Sequence, residues 1–350
     1  MREIWSEIES WRKAAKAIAL ATIIQVEGSS LRPLASKMAI TSAGDIAGSV
    51  TGGCVEGAVF EEAQMVIKTG QPKRLHYGIA DATAWSVGLA CGGTIEIFVE
   101  SLATSPWQRV ESDVRRCIEE GQLAALATLA AGDRAGNKLL LWPDGRHSGD
   151  LGSPELNAQA ASAALHCWTT HAPILTPARD EHGDCEIFID VLAPLPRLVI
   201  IGAVHIAIPL VKIAKTVGFQ TCVIDPRSAF ATHDRFPHVD QLIIEWPATA
   251  LEKLHADTAT YVVCLSHDEK LDNPALETAL ASSARYVGAL GSRKTHARRL
   301  EALREMGVAE ESLARIHTPI GLHLGARYPE EIALAIMAEI VAVSHGVEVR

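Results

Sequence analysis

An internal repeat in the N-terminal part of the chain constrains the fold most. The segment Ala19-Leu20-Ala21-Thr22-Ile23 recurs as Ala125-Leu126-Ala127-Thr128-Leu129. A second segment, at 96–103, returns at 186–193 with the same Glu-Ile-Phe start. Both pairs are apolar runs of strand length, and they keep their order along the chain. The repeat therefore indicates two copies of one structural unit.

The stretch between these strands repeats as well. Residues 39–50 match residues 140–151 in their apolar and glycine pattern, which is typical of a β-hairpin. Each copy thus has the pattern of a strand, a hairpin, a helix and a closing strand. We expect two related α/β units, over 1–103 and 104–193, that pack as a pseudo-symmetric pair and cover each other's open face.

A short linker containing prolines separates this pair from a different pattern at 194–350. There a buried strand turns at Gly202 into a helix predicted over 205–217, and a second strand ends at Asp225. Further alternations of strand and helix lead to a helix predicted over 329–344. Such a pattern is typical of a Rossmann-like domain with a parallel sheet. The predicted fold class is α/β, with a duplicated N-terminal unit followed by this domain.

The Rossmann-like segment carries an altered dinucleotide fingerprint. Asp225 lies about twenty residues after the glycine turn, where an acidic side chain binds a ribose hydroxyl. Val204 and Ala207 occupy the second and third glycine positions. Alanine is accepted at the third position, whereas valine at the second obstructs the approach of a pyrophosphate. A nucleotide site and a purely structural scaffold are both open at this point.

Polar side chains follow other predicted strands of this domain. His267-Asp268 and Gly291-Ser292-Arg293 each come directly after a buried strand. The second group lies at a helix start and suits a phosphate, through backbone amides and a guanidinium. His205, His267 and Asp268 are candidates for acid, base or metal-binding roles, although single histidines more often serve as surface or capping residues.

Two cysteines lie in glycine-rich frames, Gly52-Gly53-Cys54 and Cys91-Gly92-Gly93. Cys54 precedes a helix predicted over 55–69, whose dipole and free amides favour a thiolate. Such a sulfur can hold a soft metal, carry a sulfur atom or attack a disulfide. The alternative is that both cysteines are small core residues, as most free cysteines are. The second copy has Ser153-Pro154-Glu155 in place of the first frame and no counterpart of the second, which favours function in the first copy.

Composition excludes several other classes of protein. A formal net charge of −10 on 350 residues argues against nucleic acid as a partner, because phosphate binding needs a clustered basic surface. The N-terminus mixes both charge signs and lacks the apolar core of a signal peptide, and the longest uncharged stretch is too short for a membrane span. The 7 cysteines are odd in number and scattered, which does not suggest a disulfide framework. We expect a cytoplasmic protein without membrane partners.

Taken together, the motifs resemble those of the XdhC/CoxI family of xanthine dehydrogenase accessory proteins. The N-terminal resemblance lies in residues 48–59 and 88–96, and the C-terminal resemblance in residues 266–268, 286–296 and 316–321. These stretches follow the family's order and together span nearly the whole chain. The family's Gly-Ala-Gly-His turn is altered here at Val204, and its Pro-Pro-Gly-Ala-Lys segment reads Pro-Leu-Ala-Ser-Lys, with the lysine kept as Lys37.

The resemblance implies a carrier of the molybdenum cofactor (molybdopterin) rather than a turnover enzyme. Family membership implies support for cofactor sulfuration by a cysteine desulfurase, and delivery to an apo molybdenum hydroxylase such as xanthine dehydrogenase. Cys54 and Cys91 would contact molybdenum or hold the sulfur. The amides of Gly52, Gly53, Gly92 and Gly93, with Lys37, would hold the pterin or its phosphate. The Rossmann-like domain would add cofactor-binding residues: Gly202, His205, Asp225, His267, Asp268, Gly291, Ser292 and Arg293.

Two alternatives are open. The βαβ start that ends at Asp225 would also suit an NAD(P)-dependent oxidoreductase that uses Cys54 or His267 in catalysis. A protein-interaction scaffold with both cysteines in its core is the third interpretation. The client enzyme is left open, and so is a homodimer.

Overall fold

A computed structural model describes residues 1–28, 30, 32–53, 55–78 and 93–347. The chain forms two compact units, Met1–Pro194 and Leu195–Arg350. The first unit contains two antiparallel sheets and the second contains one parallel sheet. The α/β class, the N-terminal duplication and the parallel C-terminal sheet predicted from the sequence are confirmed.

The first copy is a five-stranded sheet with strand order β3-β2-β1-β5-β4. Its strands pair antiparallel throughout, with the closing strand β5 next to β1. Its elements are helix α1 (Trp5–Lys13), β1 (Ile18–Glu27), β2 (Lys37–Thr41), β3 (Ile46–Gly48), helix α2 (Glu56–Thr69), β4 (Lys73–Tyr77) and β5 (Thr94–Ser101).

The second copy repeats this topology, with strand order β8-β7-β6-β10-β9. In both copies an edge strand that was not predicted, β4 or β9, pairs with the closing strand. The elements of this copy are α3 (Ser105–Glu120), β6 (Ala124–Leu129), β7 (Lys138–Leu141), β8 (His147–Asp150), α4 (Pro154–Thr170), β9 (Ile174–Asp180) and β10 (Gly183–Leu192).

Alternation along the strands gives each sheet two buried faces. In β1, Ala19, Ala21 and Ile23 are buried together with Val59 and Val66 of α2. The intervening residues of β1 point to the other side, as period-two alternation requires. That second face belongs to a core shared by both copies, in which Leu20 lies in one cluster with Leu126, Trp107 and Leu192. The two copies therefore bury each other's open faces.

Two buried ion pairs cross this shared core, and each joins one copy to the other. Lys37 Nζ lies 2.7 Å from Asp190 Oδ2, and Lys138 Nζ donates to Glu100 Oε1 at 2.8 Å. Lys37 and Lys138 hold matching positions in the repeat, as do Glu100 and Asp190. All four are at most 7% exposed, and burial lowers the pKa of Lys138 although Glu100 opposes this. The crossed pairs thus fix how the two copies dock.

We expect Glu100→Gln to destabilise the N-terminal unit strongly. Lys138 is 1% exposed, so losing its counter-charge leaves a buried ammonium and lowers the free energy of unfolding by about 3–5 kcal/mol. Urea denaturation checks this value. The double variant Glu100→Leu/Lys138→Met should recover most of the loss, because an apolar pair replaces the ion pair. The exposed pair Asp144–Arg146 is the control, since Asp144→Asn should leave the denaturation midpoint nearly unchanged. An unchanged midpoint in Glu100→Gln would contradict the argument.

The C-terminal unit is a six-stranded parallel sheet with order β13-β12-β11-β14-β15-β16, the order of a doubly wound Rossmann domain. Separate apolar clusters cover its two faces, so helices lie on both sides of the sheet. Its elements are β11 (Arg197–Ile201), α5 (Ala207–Thr216), β12 (Gln220–Ile224), β13 (Gln241–Ile243), α6 (Pro247–Leu254), β14 (Thr260–Cys264), α7 (Glu269–Ala281), β15 (Tyr286–Ala289), α8 (Arg293–Glu305), α9 (Glu310–Leu313), β16 (Ile316–His317) and α10 (Pro329–Ser344).

Candidate functional site

The C-terminal edge of the parallel sheet has its switch point between β11 and β14, where the chain winds in opposite directions. Gly202 ends β11 with a φ of +102°, and a Cβ built there would lie 2.9 Å from the backbone N and Cα of Ser266. The glycine therefore allows the loops after β11 and β14 to touch. One of these loops carries His205, and the other carries His267 and Asp268.

We expect Gly202→Ala to destabilise the C-terminal unit more than a matched glycine substitution. Gly218→Ala is the control, because Gly218 has a φ of +87° and nothing within 4 Å of its added Cβ. The control should cost about 1 kcal/mol for its positive φ alone. Gly202→Ala should cost about 2 kcal/mol more, since the clashing atoms are backbone. Thermal unfolding measures both; equal losses would mean that the loop contact does not matter.

Asp225, the predicted ribose ligand, is fully buried at the end of β12 and already has partners on both carboxylate oxygens. Oδ2 accepts from the Ala203 amide at 2.8 Å and from Arg227 Nη2 at 2.7 Å, while Oδ1 accepts from Arg227 N and Nε. Burial alone would raise the pKa of Asp225, but these hydrogen bonds outweigh it and lower the pKa. A ribose would have to displace Arg227, so this geometry lends no support to the dinucleotide-dependent alternative.

A buried polar network links two of the predicted loops. Asp272 Oδ1 accepts from Ser266 Oγ at 2.7 Å, and Asp272 Oδ2 lies 3.6 Å from Arg299 Nη2, which donates to the Leu290 carbonyl. Asp272 is 1% exposed and Arg299 3%, and burial raises the pKa of Asp272. The network connects the loop of His267 to the loop of Gly291. Sequence reasoning missed both residues, although each is a charged side chain in the apolar stripe of its helix.

The remaining predicted residues of this edge lie at the ends of helices. Asp268 accepts from the Lys270 amide at the start of α7, and Ser292 accepts from the Thr295 amide at the start of α8. His267 has a φ of +58°, a strained left-handed conformation for a residue that is not glycine. His205 is exposed just before α5. The edge thus holds polar groups in fixed positions, with Asp268 and Ser292 already serving as caps.

The loop before α2 is organised by one carboxylate. Glu56, the first residue of α2, accepts from the amides of Thr51, Gly52 and Gly53, each at 2.8 Å, and from Ser49 Oγ at 2.8 Å. Burial alone would raise the pKa of Glu56, but these hydrogen bonds outweigh it and lower the pKa to about 2. The amides of Gly52 and Gly53, predicted to hold a pterin or phosphate, are therefore directed at Glu56.

The other N-terminal candidates divide into two groups. Cys54, Cys91 and Gly92 lie outside the described residues, so their predicted roles stay predictions. Gly93 directly precedes β5, and Lys37 is buried between the two copies with its ammonium paired to Asp190. Lys37 thus has a structural partner in addition to the ligand role predicted for it.

The five described cysteines are free thiols with little sign of reactivity. Cys117, Cys167, Cys222 and Cys264 are buried, and burial raises the pKa of each, to about 12 for Cys222. Half-buried Cys185 also has a raised pKa, chiefly through burial. A thiol with a raised pKa is a poor nucleophile and metal ligand. Attention therefore stays on the two cysteines in glycine frames.

The described residues contain neither a membrane-spanning helix nor a ready-made metal cluster. Within residues 1–28, 30, 32–53, 55–78 and 93–347, no helix has the length and apolar character needed to cross a bilayer. Over the same ranges, no three His, Cys, Asp or Glu side chains gather as a metal site.

We expect Glu56→Gln to loosen the loop at 49–53. An amide in place of the carboxylate loses charge-assisted hydrogen bonds worth about 1–2 kcal/mol at this half-buried position, so the amides of Thr51, Gly52 and Gly53 should exchange roughly tenfold faster. Hydrogen exchange detects this. Because the folded pKa of about 2 lies below the ordinary 4.5, the contribution is complete above about pH 4.5 and is lost as pH falls towards 2. Unchanged exchange would contradict the role of Glu56.

The fold and these sites define a class of protein in which a duplicated antiparallel unit is followed by a Rossmann domain with an altered dinucleotide turn. The chain belongs to the XdhC and CoxI family, whose family model matches residues 11–78, and the XdhC Rossmann domain matches residues 198–340. Together the two matches cover more than half of the chain. The recognition made from the motifs is confirmed.

Individual relatives extend over most of the chain. A protein named as a probable xanthine dehydrogenase component, from Bacillus subtilis (strain 168), is 29% identical over 324 residues, which are 92% of each chain. The molybdenum cofactor insertion chaperone PaoD from Escherichia coli (strain K12) is 26% identical over 332 residues, 94% of this chain and 84% of PaoD. The crystal structure of a xanthine dehydrogenase from Bacillus halodurans superimposes with a TM-score of 0.76 and 25% identity, over 99% of this chain and 97% of that one.

Proposed function

We propose that this protein is an accessory factor for molybdenum hydroxylases that binds the molybdenum cofactor and inserts it into an apoenzyme of the xanthine dehydrogenase type. The observation that carries the proposal is the likeness to PaoD, a molybdenum cofactor insertion chaperone, over 94% of the chain. A likeness of this extent includes both units, so it supports a role for the whole chain rather than for one domain.

The first copy of the N-terminal unit is the proposed place of cargo binding. Its loop at 49–53 is held around Glu56 and leads directly to Cys54, whereas the second copy has no cysteine at the matching position. A thiolate suits a soft centre such as molybdenum or the sulfur bound to it. In this proposal Cys54, with Cys91, contacts the cargo, and a cysteine desulfurase supplies the sulfur for sulfuration.

The described cysteines support this assignment by elimination. Four of the five are buried, and the pKa of all five is raised, chiefly by burial. Raised pKa values leave these thiols protonated at neutral pH, so they compete poorly for a metal. A cysteine-dependent carrier role then falls to Cys54 and Cys91.

We expect Cys54→Ala to lose bound cofactor without losing its fold. The protein is purified from a molybdate-fed host that makes the cofactor, and molybdenum and oxidised-pterin fluorescence are measured per chain. Wild type should carry pterin and Cys54→Ala should carry at least tenfold less, because the thiolate contact to the metal centre is gone. Cys185→Ala is the matched control, since it removes a half-buried thiol from the second copy. Equal pterin in wild type and Cys54→Ala would refute the role of Cys54.

A further inference from the structure

A pocket of about 650 Å³ opens beside β15 and β16 in the C-terminal unit. Its volume falls within the range of small-molecule sites. Apolar side chains form much of its wall, among them Leu290, Ile320 and Ile332. The polar residues on the wall were not singled out as candidates from the sequence, except for Arg293. They are His317, Thr318, His323 and Glu339.

His317 is oriented by a buried carboxylate. Its Nδ1 lies 3.1 Å from Glu339 Oε1, and its ring stacks on Tyr286 with centroids 4.4 Å apart. Glu339 Oε2 also accepts from the Tyr286 hydroxyl and the Gly321 amide, each at 2.6 Å. Burial alone would raise the pKa of Glu339, but these hydrogen bonds outweigh it and lower the pKa. An ionised Glu339 makes Nδ1 the donor, which leaves Nε2 as the nitrogen available to a ligand.

The rest of the wall has groups without partners. Arg293, the first residue of α8, makes no ion pair or hydrogen bond with any described residue. The Thr318 hydroxyl is buried and has no partner among the described residues. Glu339 is the one carboxylate among the described residues that line the pocket, and its oxygens are taken by His317, Tyr286 and Gly321. An unpaired guanidinium, a fixed imidazole and an orphaned hydroxyl beside a helix start favour an anion.

We infer that this pocket binds the phosphate ester of a heterocycle, with Arg293 and His317 on the phosphate and the apolar wall on the ring. Nucleotides and phosphorylated pterins share this chemistry. The site contains no residue of the Cys54 loop, so the inference is independent of the proposed function. His317 acts here as a binding residue, and Glu339 positions it.

Calorimetric titration of the full chain with ADP and, separately, with a pterin monophosphate tests the inference. At least one probe should bind and be displaced by pyrophosphate. Arg293→Gln should weaken that binding at least tenfold, because the guanidinium has no other task among the described residues. Lys294→Gln is the matched control: it removes the neighbouring cation of the same helix turn, which does not line the pocket, and should change affinity less than twofold.

The outcomes separate the sources and the two proposals. Binding of ADP alone, or of the pterin monophosphate alone, with loss in Arg293→Gln, supports the site and names its ligand class. His317→Gln should also weaken binding while the thermal midpoint stays within a few degrees of wild type. No binding of either probe up to about 1 mM, or equal affinity in wild type and Arg293→Gln, overturns the inference. Cys54→Ala should bind these probes like wild type, so failure of the carrier role would not be mistaken for failure of this site.

Discussion

The crossed ion pairs between the two N-terminal copies are the constraint on which the rest of that unit depends. Buried charges are costly unless paired, and here each lysine finds its carboxylate only in the other copy. Lys37 begins β2, and a Cβ on Gly48 of β3 would lie 2.3 Å from the Lys37 carbonyl oxygen, so the hairpin packs tightly at that point. Gly149 and Lys138 repeat this contact at the same distance. The hairpin that leads into the loop at 49–53 is therefore fixed by the docking of the two copies.

Two copies with one topology then diverge at a single loop. In the first copy, the carboxylate of Glu56 gathers the amides of the loop. In the second copy, Asn157 stands at the matching position and accepts from the Leu151 amide, while Ser153 caps the helix through the Leu156 amide. Ser153-Pro154 makes an ordinary helix start, which needs no glycines. The duplicated fold supplies the scaffold twice, whereas the specialised loop occurs in the first copy.

Sequence patterns predicted the architecture because apolar alternation and repeat spacing are local properties of the chain. The helix predicted over 329–344 is observed as Pro329–Ser344, and the duplication is observed in the strand orders of both sheets. Partners that depend on tertiary placement were out of reach, as for Asp225 with Arg227 and for His317 with Glu339. One signal was available: Glu339 is an acidic residue in the otherwise apolar second half of its helix, and such a residue needs a buried partner. The edge strands β4 and β9 were missed because their short polar sequences resemble loops.

The geometry around Glu56 bears on how a carrier releases its cargo. Amides that bound a cargo directly would lose their partners on release, and an unsatisfied buried donor costs about 1–3 kcal/mol. Because Glu56 already satisfies the amides of Thr51, Gly52 and Gly53, the loop keeps its hydrogen bonds whether or not cargo is present. The ionised carboxylate also repels an anionic group at these amides, which leaves the neighbouring sulfur as the favoured contact. A proposed carrier built in this way holds its cargo through few interactions and does not need to reorganise its loop when the cargo leaves.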